Sequence, residues 1–150
     1  MSKIIFSTLI VCLFAVLVYA GEVIQTQESD SWEGIQCDLT SVKVKDDIIT
    51  LKFKLRNAGK EKQSVKIMFK ECYIMDQKNQ KKYFVLKDSD GMYIGGPNYD
   101  NNDGGRFWFD ILPEKSNGIW MKFPVPVDAT EEIAVSIPGM PPFEDVKLEK

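Results

Sequence analysis

No histidine occurs among the 150 residues of the chain. That absence removes Ser/His/Asp and Cys/His catalysis, imidazole-ligated zinc and histidine-based pH switching together. Excess charge is missing too. With 19 basic and 22 acidic side chains and a formal net charge of -3, there is no surplus to neutralise a phosphate backbone, and a nucleic-acid partner is not expected. Only three cysteines are present, but a domain of this size hides roughly two-thirds of its unfolded surface, enough for a core without metal or several disulfides. Sustained 3.6-residue periodicity and internal repeats are absent as well.

What is present fits one soluble domain: 44% hydrophobic and 27% charged residues over a length too short for two independent cores. The chain opens with Lys3, an apolar run from Ile4 to Tyr19 and then Val18-Tyr19-Ala20 before Gly21-Glu22. This pattern predicts a signal peptide over residues 1–20, since the run falls below the ~20 residues of a typical spanning helix. Cys12 is filler within it. The expected product is periplasmic or extracellular, with no stable membrane span once the segment is removed. Residues 21–31 are polar and aperiodic and read as a flexible leader, and residues 32–150 as the folded domain. Cys37 and Cys72 remain. Their pairing in an exported chain would contribute roughly 3–4 kcal/mol, and two buried free thiols are the alternative.

From Ile35 onward the pattern is one of short strands. Ile49, Leu51, Phe53 and Leu55 alternate with Thr50, Lys52, Lys54 and Arg56, so one face is buried. Asp46-Asp47 predicts a tight turn back to a strand carrying Val42 and Val44. Val65, Ile67 and Phe69 resume the alternation, and a slip of phase before Cys72 and Ile74 predicts a β-bulge. Asp76 to Gln80 turns into a further strand over 82–86, and Asp88 to Gly105 reads as a long loop. Phe107, Phe109 and Ile111, then Ile119, Met121, Phe123 and Val125, alternate on either side of a turn at 113–118 and are expected to pair as a hairpin. Strands over 133–137 and near Val146 close the chain. About seven or eight short strands with frequent turns predict an antiparallel, immunoglobulin-like β-sandwich.

Three stretches carry a family resemblance: Leu51 to Gly59, Cys72 to Asp76 with Lys82-Tyr83, and Ile137-Pro138-Gly139 with Pro142 to Val146. In that order the chain resembles the telokin-like, immunoglobulin-like domains of secreted bacterial proteins, from about Trp32 to Leu148. The resemblance implies a sandwich in a bacterial envelope setting. It brings no catalytic residues.

Candidate sites are few. Asp88, Asp90, Asp100 and Asp103 concentrate the hard oxygen ligands that calcium requires, although the spacing matches an EF-hand only in part. The same residue types also serve solvated turns. These carboxylates are the basis of one alternative, a calcium-dependent binding protein or hydrolase. A secreted protease inhibitor presenting the 88–105 loop is another. Trp108 and Trp120 are expected on one face of the 107–125 hairpin and, with Tyr93 and Tyr99, form a candidate interaction surface. Lys43, Lys45, Lys52, Lys54 and Arg56 form a basic stripe on the outward face of the first hairpin, suited to an anionic surface such as lipid headgroups or polysaccharide or simply to keeping that face soluble. The main expectation is a non-enzymatic module that binds protein or cell-envelope material.

Overall fold

The computed structural model describes residues 22–128 and 130–149, so the expected signal peptide lies outside the described residues. Among the described residues eleven strands, several of them short, make an all-β antiparallel sandwich. One sheet orders β1 (Gln25–Glu28), β2 (Ile35–Lys45), β3 (Ile48–Asn57), β9 (Ser116–Pro124) and β7 (Gly95–Gly96) as β1-β2-β3-β9-β7. A four-stranded sheet orders β11 (Phe143–Lys147), β10 (Glu132–Ser136), β5 (Tyr73–Asp76) and β6 (Lys81–Phe84) as β11-β10-β5-β6. A two-stranded ribbon joins β4 (Gln63–Met68) to β8 (Arg106–Ile111).

The period-two pattern sets which side of each strand is dry. Ile49, Leu51, Phe53 and Leu55 of β3 and Ile119, Met121 and Phe123 of β9 are buried, while the residues between them point outward. Val65, Ile67, Phe107 and Ile111 from the ribbon and Ile74, Ile133, Val135, Phe143 and Val146 from the four-stranded sheet complete the same core. Phe53 meets Phe143 across the layers with ring centroids 5.4 Å apart. The first hairpin turns at Asp46 and Asp47, both at positive φ (52° and 60°), with Lys45 opposite Ile48. This is the two-residue geometry whose twist matches that of the flanking strands.

Four expectations are corrected here. Part of the supposed leader is a strand: β1 pairs with β2 from Gln25↔Leu39 to Glu28↔Gln36. It carries no apolar alternation because it holds its place through backbone bonds and through Gln25 and Gln27, whose amides donate to the carbonyls of Glu144 and Pro142. The phase slip before Cys72 is made by a single 3-10 turn, Phe69–Glu71, in place of a bulge. Register shifts lie elsewhere, in β2 between Leu39 and Ser41 and in β10 against β11 between Ile133 and Val135. The loop over 88–105 is partly ordered, with β7, a 3-10 turn and bridges Lys87↔Tyr93 and Asp100↔Arg106. Finally, β8 and β9 do not form a hairpin: β8 pairs with β4 and β9 with β3 and β7. Each thereby gains a long partner of its own.

Candidate functional site

The outer face of the five-stranded sheet is built by register. Lys52 stands opposite Trp120, Lys54 opposite Gly118 and Arg56 opposite Ser116. On the other flank Asp38 stands opposite Lys54, and Thr26 opposite Asp38. The bulge at Thr40 lets its hydroxyl donate to the Lys52 carbonyl at 3.1 Å. Across these strands runs an open groove of ≈ 820 Å³, lined among others by Gly118, Lys54, Trp120, Lys52, Thr26 and Val23.

Its charges are unevenly compensated. The Arg56 guanidinium grips Asp38 through Nε and through Nη2 to Oδ1 at 2.9 Å, while the Thr26 hydroxyl donates to the same carboxylate at 2.7 Å. Arg56 holds the Asp38 carboxyl below the usual carboxylate range, against the opposing effect of burial. Lys43, Lys45, Lys52, Lys54 and Lys122, by contrast, enter no ion pair among the described residues. The expected basic stripe therefore exists, with Arg56 neutralised and Lys122 added from β9. Trp120 joins it because β9 lies beside β3. Its indole lies against Gly96, where an added Cβ would come within 2.9–3.1 Å of Nε1, Cε2 and Cζ2, and it remains 37% exposed.

The expected pair of tryptophans is separated, since Trp108 belongs to the β4–β8 ribbon. Trp108 is as exposed as Trp120 but is engaged by its neighbours. Its Nε1 donates to Ser64 Oγ at 3.0 Å, Tyr99 packs on it at 5.1 Å, and Lys66 and Arg106 approach its ring at 5.1 and 5.3 Å. Tyr93 staples the 88–105 loop, set against Gly104 and under Lys87. Of the four aromatic candidates, Trp120 alone lines the groove.

The four aspartates considered for calcium are not brought together. Asp88 Oδ1 accepts the backbone N–H groups of Asp90 and Met92, which leaves Asp90 a turn residue. Asp100 forms a forked pair with Arg106, and Asp103 pairs with Lys70 at 3.1 Å. Among the described residues no three acidic or cysteine side chains converge on a point where a metal would sit. The turn chemistry of the loop accounts for these residues. The calcium ligand set is thus corrected.

Cys37 and Cys72 are fully buried free thiols in the shared core, not the bonded pair considered from sequence. Cys72 Sγ is turned to the Met68 carbonyl at 3.5 Å. Burial pushes both thiols far above their ordinary range, which keeps them protonated and unreactive. What the sequence missed is the Thr26–Asp38–Arg56 network and Gly118. The first depends on a strand with no hydrophobic signal, and the second was read as part of a turn although β9 already starts at Ser116.

No protein-family model matches the chain, and no curated protein matches it. A crystal structure of a functionally unknown protein from Listeria monocytogenes EGD-e is similar to it at 10% identity, over 83% of this chain and 87% of that one, with a TM-score of 0.42. No helix among the described residues is long and apolar enough to cross a membrane. By its sheets and core, the chain is an all-β antiparallel sandwich.

Proposed function

We propose that the protein is an exported, non-enzymatic binding module of the telokin-like, immunoglobulin-like kind, which meets cell-envelope material through the outer face of its five-stranded sheet. The observation that carries this reading is the open groove over Gly118, where uncompensated lysines and a half-exposed tryptophan lie side by side. Such a constellation offers one flat apolar platform and several donors, and the hydroxyls lining it, Thr26, Thr40 and Ser116, have no histidine beside them to activate them. The carboxylate nearest the groove, Asp38, is committed to Arg56 and Thr26. The lack of histidine and the two protonated core thiols fit the same reading.

Sedimentation of the protein with envelope material from the producing cells tests it. The native chain is expected in the pellet, and the Trp120→Ala variant in the supernatant at equal thermal stability. Equal sedimentation of the two variants overturns the assignment to this face. Sedimentation of neither overturns the binding role.

A further inference from the structure

Gly118 has no role in the fold that requires glycine. It sits inside β9, where glycine weakens a strand because it packs nothing and loses more chain entropy than other residues. A Cβ added there would meet only the Phe53 carbonyl oxygen, at the ordinary contact distance of 3.9 Å, and its φ lies outside the left-handed region. The missing side chain does one visible thing: it leaves a depression between Lys54, directly opposite, and Trp120, two residues along the same outward face.

Trp120 is held for contact on one side. Gly96 backs the indole, and any side chain at that position would collide with it. Lys52 lies directly across from Trp120 and Lys54 one row further on, both exposed and neither in a direct ion pair among the described residues, with Lys54 standing opposite the Arg56-bound Asp38. We infer that the groove over Gly118 takes an acidic polysaccharide, one sugar ring lying on Trp120 and its anionic substituent meeting Lys52 and Lys54. The inference rests on the binding-module reading above and names its ligand.

The composition of the face separates this ligand from other classes. A protein partner prefers an anchor surrounded by apolar surface, and lysine is depleted in such centres. Here Lys52 and Lys54 stand beside Trp120, while Phe53 and Ile119, the other large apolar side chains lining the groove, are buried beneath it and Val23 lies exposed at its margin. A single-stranded nucleic acid is bound on successive aromatic platforms along a strongly basic track, whereas this face offers one tryptophan on a chain of net charge -3. A pyranose presents an apolar C–H face of about the size of one indole, with its charge at the ring edge, and fits one platform flanked by two ammonium groups.

Affinity electrophoresis of the full chain in gels containing polygalacturonate, neutral dextran or oligo-dT tests the inference. Polygalacturonate is expected to retard the native protein, with dextran and oligo-dT much weaker. Trp120→Ala and Gly118→Val should each weaken the polygalacturonate interaction by about tenfold or more. The valine variant should melt at or above the native temperature, because a β-branched residue suits the strand. The Lys52→Gln/Lys54→Gln double variant should bind more weakly and with a flatter dependence on salt. Retention of full binding by Gly118→Val, equal retardation by oligo-dT, or no retardation by polygalacturonate at low salt overturns the inference. If polygalacturonate fails while Trp120→Ala still abolishes sedimentation with envelope material, the ligand class is wrong and the binding role stands. If both fail, the role falls with the ligand.

Discussion

Asp38 projects from the solvent side of β2 and is nevertheless only 2% exposed, with Arg56 and Thr26 bonded to its carboxylate. A carboxylate shielded in this way depends on its donors, and replacing it by an amide leaves the guanidinium of Arg56 without its counter-charge and with one acceptor oxygen in place of two. Asp38→Asn should therefore cost about 1–3 kcal/mol in urea denaturation, and an unchanged midpoint would mean that the pair adds nothing. The pH dependence follows from the same contacts. Arg56 depresses Asp38 and Arg106 depresses Asp100, so their stabilisation is complete above the unfolded carboxylate value near ~3.9 and is lost as pH falls through the lower folded values. Melting temperature should thus hold level above about pH 5 and fall below about pH 4, with the Asp38→Asn curve starting lower and converging on the native one in acid. The two thiols give a separate reading at this scale. Cys37 and Cys72 should resist iodoacetamide in the folded protein and react together in denaturant, with the intact mass of two thiols. A mass lower by two hydrogens would instead reinstate the bonded pair.

At the level of the element, the β2–β3 hairpin was readable down to its turn. Asp46-Asp47 lies between two alternating runs and takes positive φ at both positions, a conformation that Asn-Gly occupies with less strain. Replacing the pair by Asn-Gly should raise stability by roughly 0.5–1 kcal/mol, measured as a shift of the thermal midpoint. A loss would mean that the aspartates make contacts beyond the turn. The next elements were less legible. β1 has the composition of a linker, since its pairing with β2 uses backbone groups that every residue carries. The 3-10 turn at Phe69–Glu71 and the expected bulge change the phase alike, so alternation cannot separate them. Likewise, Phe107–Ile111 and Ile119–Val125 have the alternation of two adjacent hairpin strands. Their separation into a ribbon and a sheet depends on β3 and β4 offering registers that pair β9 and β8 along their whole lengths.

For the molecule as a whole, the three sheets share one core, and Phe143 is a joint between layers. Phe143→Ala should cost about 3–5 kcal/mol, a large part of the 5–15 kcal/mol typical of a domain. Tryptophan fluorescence and far-ultraviolet circular dichroism should still report a single coincident transition, and two separate transitions would show that the sheets do not fold as one unit. The inward and outward sides of β3 and β9, the sandwich class and the basic stripe were already written in the chain, because a period of two is a local property that any strand displays before it finds a partner. Which strands became neighbours was not. Trp120 meets Lys52, and Gly118 opens beside Lys54, only because β9 settled against β3 in one register. Pairing of that kind brings together residues far apart along the chain through backbone groups common to all of them, so it is decided by how the layers close around their common core.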